Sequence, residues 1–222
     1  MNVSQGVLER RSIRAFSVKV PERSLVESIL GHARWAPSWG NTQCWKVTVA
    51  DGDRLEAFRE NNRRQYLDGV VPNPDMPMPR EWPEINKARY GEVGRRVFEA
   101  LSIARGDKQA RHEHQARMHG LFGAPMLLLF SVDRAITPPE YAMFDLGSFV
   151  QTICLLSWEK GLGTCPLAVA VNYPDVVRRH IDIPEGEALV MGLAVGYPDM
   201  AAPINSFERS RASEKEVIRW GA

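Results

Sequence analysis

Helix-like and strand-like segments alternate along these 222 residues without a regular βαβ period, which predicts an α+β protein rather than a doubly wound parallel sheet. Three observations carry that expectation. Two continuous apolar runs bounded by turn formers, "PMLLLFSV" at Pro125–Val132 and "ALVMGLAVGYP" from Ala188, have the length and composition of buried strands. Apolar residues elsewhere recur at helical spacing. The composition, 44% apolar and 25% charged, is that of a folded domain with a real core, and with no internal repeat it predicts a single domain over residues 1–222.

The elements follow in chain order. Val3, Val7 and Leu8 share one side of a short helix between Asn2 and Arg11, which ends in the basic run "RRSIR". Pro21 and Glu22 open a second helix carrying Leu25, Val26, Ile29, Leu30 and Ala33, stopped by "WAPSWGN". "WKVTVA" is a strand by its alternating β-branched residues, and Asp53 is placed to cap a third helix through Glu60. Five prolines between Gly69 and Pro83 allow neither helix nor central strand, so residues 69–83 form an excursion of the kind that serves as a lid. Val93, Val97, Ala100, Leu101 and Ala104 mark an amphipathic helix ended by Gly106, followed by a polar, exposed helix from Asp107 to His119. From Glu140 to Lys160 a long helix shows the stripe Met143, Leu146, Val150, Ile153, Cys154 and Ser157. Gly147 and Gly161 lie near that stripe, as in a packed helix pair or a subunit interface. "GLGTCPLAVAV" is a turn into an extended stretch, Pro174–His180 a short helix, and residues 198–222 an arm with little apolar pattern of its own.

Net charge is +1, so no global field points to nucleic acid or an anionic membrane, and any anion site is local. The N-terminus lacks an apolar signal core, and no run approaches the roughly 18 apolar residues of a membrane span. Three cysteines without CxxC spacing fit a reducing compartment, so the expectation is a cytoplasmic protein. Motifs for nucleoside triphosphates, Rossmann dinucleotide binding, zinc proteolysis and α/β-hydrolase chemistry are absent. The spacing of His112, His114 and His119 does not form a helical metal pair, so a solvated polar face is expected there and no metal site.

Arg10, Arg11 and Arg14 surround Ser12 just after the first helix. They either complement a helix C-terminus or form a phosphate clamp, since guanidinium groups offer planar donors matched to a phosphate monoester. Arg209 and Arg211 flank Ser210 in the arm, and the two clusters together suit one dianion. "APSWGNTQ" is either a plain connection or a set of amides for a heterocycle edge, and "GLGTCPLA" either a helix cap or a glycine turn that admits a flat ligand.

"RRSIRAF", "APSWGNTQCW", "GLGTCP" and "MGLAVGYPD" followed by "RSR" occur in this order over nearly the whole chain, and in that order they resemble the FMN-dependent nitroreductase superfamily. The resemblance implies a mixed sheet flanked by helices in a homodimer with exchanged C-terminal arms and FMN at the interface. It implies that Arg10, Arg11, Ser12 and Arg14 bind the FMN phosphate and ring edge, and that Arg209 and Arg211 complete the clamp. Pro37, Ser38, Trp39 and Asn41 would come from the other subunit, and Pro166, Leu167 and Ala168 would line the isoalloxazine face. It further implies ping-pong electron transfer from NADPH or NADH to a small aromatic acceptor, a nitroaromatic or quinone, with the chemistry at flavin N5 and no proton-transferring side chain. Trp39 and Cys44 depart from the family pattern, where a small residue and a proline are more usual. Met76, Met78, Trp82 and Tyr90 offer lid contacts for a flat acceptor. Alternatives within or beside the superfamily are a flavin-fragmenting enzyme, a reductive dehalogenase using Glu84, Lys87 and Tyr90, and a non-catalytic flavin-binding protein.

Overall fold

The computed structural model describes residues 2–221. Its centre is a four-stranded sheet in the order β1-β2-β4-β3, formed by β1 (Trp45–Asp51), β2 (Met126–Asp133), β3 (Gly163–Leu167) and β4 (Glu187–Gly196). The sheet is antiparallel at every strand pair, and the expected mixed pairing reduces, within the described residues, to one parallel bridge between Ser12 and Thr164.

β2 is a continuous apolar run because both faces of the sheet are covered. Leu127 and Leu129 point into one core, with Leu55 and Phe58 of α3 (Gly52–Leu67) and Val176 and Val177 of α7 (Pro174–His180). Met126, Leu128, Phe130 and Val132 enter the other, with Val26 and Ile29 of α2 (Arg23–Ala33) and Leu146, Phe149 and Ile153 of α6 (Glu140–Glu159). Ala188 faces the second core, Leu189 the first, and Leu193 again the second, so the alternation slips by one residue along β4. The slip coincides with a bulge: Phe130 pairs with Met191 and Ser131 with Leu189, which leaves Val190 as the extra residue.

Several boundaries differ from expectation for local reasons. Asp51, at the end of β1, takes the N-cap position of α3 without a side-chain hydrogen bond, while Asp53 sits inside its first turn and the helix runs on to Leu67. α4 spans Glu84–Ala100 and stops before Ala104, because Ser102 takes a left-handed conformation. α5 (Lys108–His119) is not a solvated face: His114, Ala116 and His119 are buried, with His119 stacked on Tyr66 at 4.3 Å and His114 edge-on to Phe98 at 5.6 Å. On α6 the buried stripe takes in Ala142, Asp145 and Phe149, while Gly147 is exposed with open space beside it. α1 (Val3–Glu9) buries only Gly6 and leaves Val3, Val7 and Leu8 exposed. The stretch after β3 is not extended but a 3-10 turn, Ala168–Val171.

Residues 69–83 carry no helix or strand after the turn at Gly69. The first half of that loop is pinned nonetheless. Asn73 donates to the Asn172 carbonyl at 2.9 Å, and the Asp75 carboxylate pairs with Arg134 at 2.7 Å and Arg178 at 2.9 Å while accepting from Leu189 N–H. No helix among the described residues is long and apolar enough to cross a membrane.

Candidate active site

α1 ends at Glu9, and Arg10 leaves it with extended backbone after donating its N–H to Gly6 O at 2.9 Å. The chain then runs beside β3, with Ile13 N–H on Thr164 O at 2.9 Å. This approach needs Gly163: a Cβ there would lie 2.5 Å from Ile13 Cγ1. The returning arm zips onto the same segment. Ser17 donates to Tyr197 O at 2.9 Å, and the buried Asn205 accepts from Arg14 N–H at 2.7 Å while donating to Ala15 O and Asp199 O.

The two arginine clusters therefore converge. Arg11 donates to Phe207 O, Arg209 donates to Arg10 O, and the Arg11 and Arg14 guanidiniums lie over the Phe207 ring at 5.9 and 5.8 Å. Arg10, Arg11, Ser12, Arg14, Arg209 and Arg211 all line one cavity of about 190 Å³, with α4 closing it through Val93 and Arg96. The carboxylate on its wall, Glu208, is engaged by Arg96 at 3.2 Å. Burial and then its neighbour Arg14 lower the Arg11 pKa, and burial followed by Arg11, Arg211 and Arg10 lowers that of Arg209. Arg10 Nη2 reaches Cys154 Sγ at 3.5 Å, while its Nε is buried without a hydrogen-bond partner. Burial pushes the nearby Cys165 thiol up to about 11, so it stays neutral and supplies no counter-charge. Such a set of donors is arranged for an anion.

Pro166, Leu167 and Ala168 stand apart from this cavity, at the end of β3. Leu167 pairs with Gly192 of β4, where any side chain would strike Ala170 Cβ at 2.4 Å, so the end of the strand lies close on the sheet. The buried Asn62 of α3 supports the turn that follows, donating to Val169 O at 3.2 Å and His119 O at 2.7 Å. Pro37, Ser38, Trp39 and Asn41 do not line the arginine cavity of their own chain. Ser38 Oγ accepts from Gln43 N–H at 3.0 Å, Trp39 N–H donates to the buried Asp145 of α6 at 2.9 Å, and the Trp39 indole meets Tyr141 edge-on at 4.2 Å. Gly40 and Asn41 are both left-handed, and Pro37, Trp39 and Asn41 are exposed.

The model of the Nitroreductase family matches residues 7–197, from the first arginine cluster to the end of the sheet. The chain belongs to that family. Relatives of this nitroreductase include a 4-nitrobenzoate reductase of Nocardioides sp., 33% identical over 91% of this chain and 83% of the relative. Among solved structures, the FMN- and NADPH-dependent nitroreductase NfnB of Sphigopyxis sp. strain HMH superposes with a TM-score of 0.93 at 32% identity over 100% of both chains. NfnB of Mycobacterium smegmatis in complex with NADPH gives 0.92 at 26% identity, over 99% of this chain and 97% of that one.

Four residues that hold the candidate site segments or the 69–83 loop in place were not singled out by sequence: Asn205, Asn62, Asp145 and, for the loop, Asp75. Each is a small polar side chain that works by bonding backbone distant in sequence, a signal that no local period carries. Glu84 and Lys87, weighed for dehalogenation, pair with each other at 2.7 Å on exposed α4, and Tyr90 is 81% exposed.

Proposed function

We propose that this nitroreductase is an FMN-dependent oxidoreductase that takes electrons from NADPH or NADH and passes them to nitroaromatic or quinone-type acceptors by a ping-pong mechanism. The observation that carries this reading is the convergence of Arg10, Arg11, Arg14, Arg209 and Arg211 from opposite ends of the chain on one cavity. Its fit to a phosphate monoester is supported by the buried Arg10 Nε, which has no partner, and by the absence of a salt bridge to any of the five among the described residues.

Arg10, Arg11, Ser12, Arg209 and Arg211 would hold the phosphate, with Arg14 reaching the ring edge. Pro166, Leu167 and Ala168 give the flat ring a rigid, largely apolar seat at the end of β3. FMN, when bound, supplies the two-electron exchange between nicotinamide and acceptor. The protein contributes orientation, water exclusion and positive charge beside the ring, the last from Arg10 and Arg14. No side chain is assigned a proton transfer.

Homodimerisation belongs to the same proposal. Tyr141 and Phe144 of α6 and Val3 and Leu8 of α1 are 59, 73, 78 and 73% exposed, an apolar surface suited to a second copy. That copy would bring its own Pro37, Ser38, Trp39 and Asn41 to this site. Within the arm, residues 198–222, the part up to Glu216 packs on its own chain, through Asn205 on Arg14 and Ala15, Arg209 on Arg10 and Glu216 on Arg89, so exchange between subunits would be confined to the residues that follow. Residues 69–83 would act as the lid. Three free cysteines accord with a cytoplasmic location.

The test is an anaerobic visible spectrum of the purified protein, before and after NADPH or NADH and then after 4-nitrobenzoate. A flavin band that bleaches with nucleotide and returns with the nitro compound is the expected result. A colourless protein that takes up no added FMN would overturn the proposal.

A further inference from the structure

A second cavity, of about 970 Å³, opens between α4 and α5 and is not absorbed by the site above. It shares Arg14 and Val93 with the arginine cavity, so the two adjoin. None of Pro166, Leu167 and Ala168 lines it, so a ligand held there does not rest on the β3 seat.

Its walls are cationic and apolar together. Arg14, Arg95, Arg105 and Arg111 line it against one carboxylate, Glu99, which Arg95 engages at 2.6 Å. Arg105 and Arg111 form no salt bridge among the described residues; Arg111 lies over Phe98 at 4.4 Å, and its Nε is buried without a hydrogen-bond partner. Val97, Ile103 and Met118 supply apolar wall. Burial, then Arg117 and Arg14, lower the pKa of His114, so at neutral pH it adds no charge.

We infer that this cavity receives the adenosine end of the donor, and that Arg105 and Arg111 hold its 2′-phosphate, making NADPH the preferred nucleotide. The inference rests on the FMN reductase reading. A small aromatic acceptor reacts at the β3 seat and has nothing left to reach the second cavity. A dinucleotide has two ends, so one can lie at the β3 seat while the other enters the second cavity, which adjoins the arginine cavity through Arg14 and Val93. The volume lies within the range of about 300 to 1,000 Å³ common for ligand sites. Two unneutralised guanidiniums match a phosphate dianion better than a single carboxylate.

The test titrates the FMN-loaded protein by calorimetry with adenosine 2′,5′-bisphosphate and with AMP, alongside kcat/KM for NADPH and NADH. The bisphosphate is expected to bind at least tenfold tighter than AMP and to compete with NADPH. The double variant Arg105→Gln and Arg111→Gln is expected to lower kcat/KM for NADPH about 10- to 100-fold, with that for NADH and the FMN content unchanged. Equal binding of bisphosphate and AMP, or a preference that survives in the double variant, would overturn the inference. Loss of benzoate binding in that variant with no change toward NADPH would overturn it in favour of an aromatic acid. A wild-type protein that holds FMN but ignores the 2′-phosphate refutes this inference alone, whereas one that holds no FMN refutes the reading beneath it.

Discussion

Gly163→Ala is expected to loosen FMN and the fold together. The added Cβ would lie 2.5, 2.9 and 3.1 Å from Ile13 Cγ1, Cβ and Cγ2, against 3.4 Å or more for ordinary contact, so the gap must widen by nearly an ångström. Ile13 is fully buried, and the atoms struck are at its branch point, where rotating a stiff β-branched side chain gives no relief. The backbone of residues 12–14 must therefore move, against the 2.9 Å bond from Ile13 N–H to Thr164 O. Overpacking of this kind costs about 1–3 kcal/mol, and at about 2–4 °C per kcal/mol for a chain of this size the melting temperature should fall by about 2–12 °C. Ser12 and Arg14 flank Ile13, so the shift also withdraws donors from the cavity. Losing one charge-assisted bond weakens FMN binding about 10- to 100-fold. Thermal denaturation and quenching of FMN fluorescence read the two effects. Gly31→Ala is the control: it lies on α2 with nothing within 4 Å, and the change should stabilise by about 0.5–1 kcal/mol. A Gly163→Ala protein with the control's FMN affinity and no fall in melting temperature would refute the close approach as the reason for this glycine.

Three further outcomes follow from side chains already placed. Arg209→Met should lower FMN affinity about tenfold or more by equilibrium dialysis, with the fold retained, because it removes a guanidinium from the cavity wall. Burial alone would raise the Asp75 carboxyl, but Leu189 N–H, Arg178 and Arg134 outweigh it and hold it below the ordinary carboxylate value. The stability this confers is full above the unfolded pKa of about 3.9 and lost as pH falls through the folded value. The melting difference between wild type and Asp75→Asn should thus be largest near pH 6 and narrow below about pH 4. His119 and His114 are held neutral chiefly by burial, so their contribution is present above about pH 6.5 and lost as pH falls toward their lower folded values. Melting curves between pH 7 and 5 should show that fall, and His119→Gln should flatten it.

The strands and most helices were legible because their cores impose a pattern: β2 and β4 are covered on both faces and so read as long apolar runs, broken only by Ser131 and at their ends, and α2 and α6 show one buried stripe each. The burial of α5 was not legible, since its buried face includes His114 and His119, whose ring contacts with Phe98 and Tyr66 come from other helices. The arginine clusters were visible as clusters and as family motifs. Their convergence was not, because it depends on Gly163 admitting Ile13 and on Asn205 bonding Arg14 and Ala15, contacts about 150 and 190 residues apart in sequence. The Asp145 bond to Trp39 N–H is of the same kind.

Convergence has an energetic consequence that a motif cannot express. Arg11 and Arg209 are each made less basic by burial and then by neighbouring arginines, so the folded protein holds like charges together at a cost that an unfolded chain does not bear. An anion in the cavity removes that cost and binds only where both ends of the chain have met. With FMN phosphate in this cavity, as proposed, FMN binding and closure of the arm on residues 12–17 would be one linked equilibrium. With free FMN at 100 times its dissociation constant, linkage adds about 2.7 kcal/mol to stability, which raises the melting temperature by about 5–11 °C at this chain length. Inorganic phosphate should give a smaller rise through the same arginines. Riboflavin, which has the ring without the phosphate, should give less than FMN; if riboflavin matches FMN, the arginine cavity is not what couples the cofactor to the fold.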